Sequence, residues 1–127
     1  AVNSVSCTSA FSQMALIAAL EGDQSGVVSM VEEFSRRREV IVSGLQNING
    51  IKCPNPEGAF YVFADITNTG ITSSEFETKS LQEAGVAVLS GTAFGSYGEG
   101  FIRLSYANSI ENINIAIDRL NNMVSSL

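Results

Sequence analysis

The chain reads GEGFIRLSYA at residues 98–107, where two glycines lead into a short apolar and aromatic run. Successive side chains of a β-strand point to opposite faces, so Ile102, Leu104 and Tyr106 share one face and Arg103 lies on the other. Arg103 is the only charged residue after the second glycine of this stretch. The pattern predicts a strand that buries one face and presents a guanidinium group on the other.

The Arg103 side chain has the chemistry of an anion-binding group. Its planar guanidinium is always charged and donates paired hydrogen bonds that fit a carboxylate or a phosphate. Spacing alone leaves two other interpretations open. The first is an ion pair with Glu99, Glu57 or Asp65. The second is a stem that lies along Phe101 with its charged head in water.

Composition narrows the class of protein. The 127 residues are 45% hydrophobic and 16% charged, which predicts a globular chain with one core. No apolar run approaches the roughly 20 residues of a membrane span, so no membrane partner is expected. The net charge of -6 argues against nucleic-acid binding, because the only basic cluster, at residues 36–38, lies among glutamates in a helical pattern. That cluster is interpreted as a solvated face.

Histidine is absent, and the two cysteines, Cys7 and Cys53, lie far apart. The chain therefore lacks the usual metal-ligand spacings and any Ser-His or Cys-His nucleophile pair, so no metal site is predicted. Free thiols would fit a cytoplasmic protein, although a single disulfide remains an open alternative. The N-terminus, which begins at Ala1, has no targeting pattern, and the chain is expected to be an excised piece of a larger protein.

Periodicity and turn residues predict four helices and up to four strands. The predicted helices cover residues 11–20, 25–48, 72–84 and about 109–127, and the predicted strands cover residues 51–53, 60–66, 86–89 and 101–106. Capping boxes are predicted at Thr72 with Glu75, at Ser74 with Glu77, and at Asn108 with Glu111. In the second helix, Arg38 falls on the apolar stripe and is interpreted as a side chain that extends its charged head to the edge.

This order of elements predicts an α+β fold, with a small mixed or antiparallel sheet packed against a layer of helices. The last two strands are expected to be antiparallel neighbours. The last helix is expected to bury its apolar face, formed by Ile113, Ala116, Ile117, Leu120, Met123 and Leu127. The division predicted along the chain is a linker with an apolar helix at residues 1–24, followed by one domain at residues 25–127.

The first helix is predicted to remain partly uncovered, because it is apolar around most of its circumference. Its large apolar side chains are Phe11, Met14, Leu16, Ile17 and Leu20. As an exposed patch, they are expected to drive self-association of the chain.

Four segments, taken in order, resemble a known family. They read GAFYVF at residues 58–63, EAGVAVL at residues 83–89, GTAFG at residues 91–95 and GEGFIRLSYA at residues 98–107. Together they resemble the C-terminal small domain of a fold-type I, class I pyridoxal-phosphate-dependent aminotransferase, closest to bacterial aspartate aminotransferases. Phe34 ahead of the RRRE run at residues 36–39 agrees with this, as does SIEN at residues 109–112. The resemblance covers nearly all of the chain.

The resemblance implies a role for two residues. Arg103 matches the arginine that binds the α-carboxylate of the amino-acid substrate, and Phe60 matches an aromatic residue at the substrate entrance. An ordinary core position remains an alternative for Phe60. The intact enzyme is implied to be a homodimer that moves an amino group between an amino acid, with aspartate as the implied substrate, and a 2-oxo acid. Its pyridoxal 5'-phosphate is implied to lie in a large domain that this chain lacks.

The chain itself is predicted to contain no catalytic and no cofactor-binding residue. Only Lys52 and Lys79 are present, and neither stands in the Ser-x-x-Lys context that the family uses for its cofactor lysine. The chain is therefore expected to bind no cofactor and to be catalytically incomplete. A candidate from another class is a free-standing α+β module that binds small amino acids or mediates assembly, with Arg103 as its anion anchor.

Overall fold

Helices and strands follow the predicted order in the computed structural model, which describes residues 8–127. The elements are α1 (Ala10–Glu21), α2 (Ser25–Gln46), β1 (Tyr61–Asp65), α3 (Ser73–Gln82), β2 (Leu89–Ser90), β3 (Phe101–Ser105) and α4 (Ile110–Val124). The chain divides into two compact units at Glu32, and residues 33–127 form the larger one. The predicted boundary between residues 24 and 25 stays a prediction.

The sheet has three antiparallel strands in the order β1-β3-β2, so the strand that carries Arg103 is central. The predicted α+β class and the antiparallel pairing of the last two strands are confirmed. The strand predicted at residues 51–53 is reduced to one bridge between Lys52 and Asp65. The strand predicted at residues 86–89 was placed too early. Val86 instead exchanges hydrogen bonds with Ser80 of α3, which holds this segment against the helix until Leu89.

The core of the larger unit lies between the inner face of the sheet and three helices. Ile102, Leu104 and Tyr106 are buried, as the alternation of β3 predicts. The buried apolar side chains that the helices and β1 contribute to this core are Val62 and Ala64 of β1, Ile41, Val42 and Leu45 of α2, Phe76 of α3, and Ile113, Leu120 and Met123 of α4. Leu127 is exposed because α4 ends at Val124, so its predicted burial was wrong.

Capping residues set the start of the two later helices. Thr72 and Glu75 form the predicted capping box at α3, and hydrogen bonds from Thr72 lower the pKa of Glu75. The alternative at Ser74 was wrong because Ser74 already lies inside α3. At α4 the cap is Ser109, whose hydroxyl accepts a hydrogen bond from the Asn112 amide at 3.2 Å, and not Asn108.

The basic cluster of α2 is not a uniform solvated face. Arg36 and Arg37 both form salt bridges with Glu33. Arg38 is half-buried, and its Nη1 donates a hydrogen bond to the Pro56 carbonyl at 3.2 Å. Its Nε is buried without a partner among the described residues. The interpretation of the whole cluster as a solvated face was therefore wrong for Arg38, whose guanidinium binds the Pro56 carbonyl.

The smaller unit, of which residues 8–32 are described, contains α1 and the first turns of α2. No residue of α1 is buried, and Phe11 and Leu20 are 79% and 71% exposed. Residues 8–32 include acidic side chains but no lysine or arginine. No helix within residues 8–127 is long and apolar enough to cross a membrane.

We expect the 127-residue chain to self-associate through α1, because water favours burial of this exposed apolar surface. In sedimentation velocity, the average mass should rise with protein concentration. The double variant Leu16→Glu/Leu20→Glu should remove the concentration dependence. Leu81→Glu is the matched control, since Leu81 is 60% exposed on α3 and its replacement should leave association unchanged. A wild-type chain that stays monomeric at every concentration would contradict this prediction.

Candidate functional site

Arg103 lies at the centre of the outer face of the sheet. Its cross-strand neighbours are Phe63 on β1 and Leu89 on β2. The guanidinium carbon lies over the Tyr61 ring, 4.3 Å from its centroid, and over the Phe94 ring at 4.8 Å. Aromatic faces attract cations at these distances, so the two rings hold the guanidinium without neutralising its charge.

Four aromatic residues surround this position, and we call them the aromatic patch: Tyr61, Phe63, Phe94 and Phe101. Phe63 stacks on Phe101 with a centroid distance of 5.1 Å, and Phe94 meets Phe63 edge-on at 6.1 Å. Phe94 is 54% exposed, so this apolar surface is open to solvent beside the charged group. An arginine within an open aromatic surface can accept a ligand that combines a carboxylate with an apolar body.

None of the three acidic residues considered as partners of Arg103 forms a salt bridge with it in residues 8–127. Glu99 accepts a hydrogen bond from the Ser73 amide at 2.9 Å. Asp65 accepts hydrogen bonds from the Thr67 hydroxyl and amide, and these lower the pKa of Asp65. Within the described part of the chain, the half-buried charge of Arg103 thus has aromatic neighbours and no carboxylate partner.

Phe94 reaches Arg103 because the connection between β2 and β3 is tightly folded. Gly91 and Gly98 are both buried and lie so close together that neither position has room for a Cβ atom. The buried Ser73 hydroxyl accepts hydrogen bonds from the backbone amides of Gly100 and Phe101, at 2.8 and 3.1 Å. This contact fixes the start of β3 against the N-terminus of α3.

Phe60 lies immediately before β1 and is 42% exposed, which argues against an ordinary core position. Its ring lies 4.4 Å from that of Tyr61 and 6.4 Å from that of Phe34. Phe60 and Arg103, the two residues predicted from sequence, therefore contact the same ring, Tyr61, from different elements.

Sequence reasoning missed Tyr61 and Phe94. Alternation along β1 could have indicated Tyr61, because Tyr61, Phe63 and Asp65 lie on the outer face while Val62 and Ala64 are buried. No comparable sequence signal indicates Phe94, since its position depends on how the glycine-rich connection between β2 and β3 folds over the sheet.

Among residues 8–127, neither lysine is placed as the residue that would hold the cofactor implied by the resemblance. Lys79 forms a salt bridge with Glu83 at 3.0 Å, and Lys52 is exposed and pairs its backbone with Asp65. Residues 8–127 contain no cluster of side chains that could hold a metal ion.

Cys53 is buried and forms no disulfide within this part of the chain, and burial raises the pKa of its thiol to about 11. Cys7 lies outside the described residues.

The chain is thus a small α+β module with an arginine and an aromatic patch on the outer face of its antiparallel sheet. A family model for aminotransferase class I and II matches residues 1–120. The aspartate aminotransferase of Pyrococcus horikoshii is 45% identical over 87% of this chain. The chain therefore belongs to the class I and II aminotransferase family.

Solved structures agree with the family assignment. The aspartate aminotransferase of Rhizobium meliloti superposes on 97% of this chain with a TM-score of 0.87 and 35% identity. The alanine aminotransferase of Pyrococcus furiosus gives a TM-score of 0.89 over 95% of the chain, with 32% identity. The chain spans less than a third of its curated relatives, 29% of the Pyrococcus horikoshii protein, and 33% and 31% of the two solved chains.

Proposed function

We propose that this chain is the small domain of a pyridoxal-phosphate-dependent aminotransferase and that Arg103 binds the α-carboxylate of its amino-acid substrate. The observation that carries the proposal is the placement of the Arg103 guanidinium over two aromatic rings without a carboxylate partner among the described residues. Because no carboxylate among the described residues neutralises the Arg103 guanidinium, a substrate carboxylate can form paired hydrogen bonds with it. Phe60, next to Tyr61, contributes the apolar wall at the substrate entrance.

The proposal assigns different tasks to this chain and to the rest of the enzyme. Pyridoxal phosphate supplies the electron sink when bound, and the protein binds and orients the substrate. In the proposal, a large domain outside this chain holds the cofactor, two subunits form the working enzyme, and the protein is cytoplasmic. Aspartate is the proposed amino donor and a 2-oxo acid the acceptor. This assignment is supported by the aspartate aminotransferases among the relatives, although one solved relative is an alanine aminotransferase.

The proposal predicts a clear division of activity between the chain and the enzyme that contains it. We expect the 127-residue chain, supplied with pyridoxal phosphate, aspartate and a 2-oxo acid, to show no transamination and no absorbance of a lysine-bound cofactor. The same region joined to its large domain should transfer the amino group, measured by formation of the product 2-oxo acid. Turnover by the chain alone would contradict the proposed division, and an intact enzyme inactive on every amino acid would overturn the function.

A second candidate is a free-standing module that binds small amino acids or mediates assembly, with Arg103 as its anion anchor. The open aromatic patch around Arg103 is the observation that favours it. Calorimetric titration of the chain with aspartate separates the two. A free-standing module should bind aspartate with a dissociation constant well below millimolar. An isolated small domain, which offers only Arg103, should bind aspartate too weakly to measure.

A further inference from the structure

Tyr106 binds two consecutive backbone carbonyls ahead of β1. Its hydroxyl donates a hydrogen bond to the Ala59 carbonyl at 2.8 Å, and its backbone amide donates one to the Phe60 carbonyl at 3.0 Å. Tyr106 is 2% exposed and directly follows β3, the strand that carries Arg103. One residue directly after β3 therefore binds the backbone at the entrance of β1 at two neighbouring points.

The segment held in this way has an unusual backbone conformation. Ala59 has φ = 58°, the only positive φ of a residue other than glycine among residues 8–127. This left-handed region is unfavourable for a residue with a Cβ atom, so such a conformation persists only where surrounding contacts impose it. A second contact reaches the same loop, since Arg38 donates a hydrogen bond to the Pro56 carbonyl.

The conformation of Ala59 determines how the chain enters β1. Phe60 and Tyr61 follow directly, and their rings lie 4.4 Å apart. The Tyr61 ring in turn lies under the Arg103 guanidinium, 4.3 Å from its carbon. Since Arg103 has no carboxylate partner among the described residues, this ring and Phe94 are the groups that orient it.

We propose that Tyr106 is a positioning residue for substrate binding. Its buried hydroxyl holds Ala59 in the left-handed conformation, which places Tyr61 beneath Arg103 and presents the guanidinium in a fixed orientation. The effect on substrate rests on the proposed function, because it requires that Arg103 bind the substrate carboxylate. The effect on the backbone does not, and it can be measured in the 127-residue chain.

The first test is hydrogen exchange in the chain by NMR, with the variants Tyr106→Phe and Ala59→Gly and their combination. The reporter is the backbone amide of residue 106, which bonds to the Phe60 carbonyl. Tyr106→Phe should accelerate its exchange by about tenfold and leave the α4 amides unchanged. Glycine tolerates the left-handed region. In the Ala59→Gly background, Tyr106→Phe should therefore accelerate exchange of the residue 106 amide much less. The proposed link between Tyr106 and Ala59 would be overturned if Tyr106→Phe accelerated amide exchange equally in the wild type and in Ala59→Gly. It would also be overturned if Tyr106→Phe accelerated exchange in neither.

The second test measures steady-state kinetics of the intact enzyme. Tyr106→Phe should raise KM for the amino-acid substrate by about tenfold and change kcat by less than about threefold, because a misoriented Arg103 guanidinium binds the substrate more weakly. Tyr97→Phe is the matched control, since Tyr97 is 99% exposed, and it should change neither constant. An unchanged KM in Tyr106→Phe would overturn the inference alone, whereas an unchanged kcat/KM in Arg103→Ala would overturn the proposed function instead.

Discussion

Replacing Arg103 by alanine in the intact enzyme is expected to lower kcat/KM for the amino-acid substrate by about two to three orders of magnitude. If Arg103 binds the substrate carboxylate as proposed, the substitution removes the guanidinium. The carboxylate would then face Tyr61 and Phe94, whose ring faces cannot donate hydrogen bonds to it. A carboxylate that has left water without a compensating partner is strongly destabilised. Initial rates measured over a range of substrate concentrations would give this loss directly.

Two further variants make the test specific. Arg103→Lys keeps the charge but loses the paired donors, so its kcat/KM should fall between those of the wild type and Arg103→Ala. Arg36→Ala removes an arginine that is 59% exposed and paired with Glu33, and it should leave kcat/KM unchanged. Wild-type kinetics in Arg103→Ala would show that the guanidinium does not bind the substrate.

Replacing Gly98 by alanine is expected to cost the larger unit about 3 kcal/mol or more of unfolding free energy. A Cβ atom at position 98 would overlap the carbonyl group of Gly91, and backbone atoms cannot move aside as the end of a flexible side chain can. The folded connection between β2 and β3 would have to open, and Phe94 would move with it away from Arg103. Urea denaturation of the chain, followed by circular dichroism, would measure the loss.

Gly58→Ala is the control for this prediction. A Cβ atom at position 58 would meet nothing, and its backbone does not have a positive φ. Its unfolding midpoint should stay within experimental error of the wild type. Equal midpoints for Gly98→Ala and the wild type would show that the close contact between the two glycines does not exist in solution.

Several features of the fold follow from local sequence because local physics governs them. The alternation in GEGFIRLSYA predicts which face of β3 is buried, since side-chain direction has a period of two along any strand. The capping box of Thr72 and Glu75 is equally local, because both partners lie within one turn of α3. The antiparallel pairing of β2 and β3 was also predictable, because the two strands are consecutive and a single connection joins them.

Errors occurred where a residue or a helix end had more than one available hydrogen-bond partner. Val86 looked like the start of a strand, but its hydrogen bonds go to Ser80 of α3. Arg38 looked like a solvated arginine, but the loop that ends at Phe60 lies close enough for Pro56 to accept its hydrogen bond. Asn108 and Ser109 are both good caps, and the sequence pattern alone chose the wrong one.

By itself, the sequence determined the family, the α+β class and the position of one charge on the outer face of β3. It could do so because strand alternation, helix caps and charge are properties of short segments. Tertiary structure alone decided that Tyr61 and Phe94 enclose this charge and that Tyr106 holds Ala59. Those contacts join residues up to 47 positions apart, and they depend on the packing of sheet, loop and helix together.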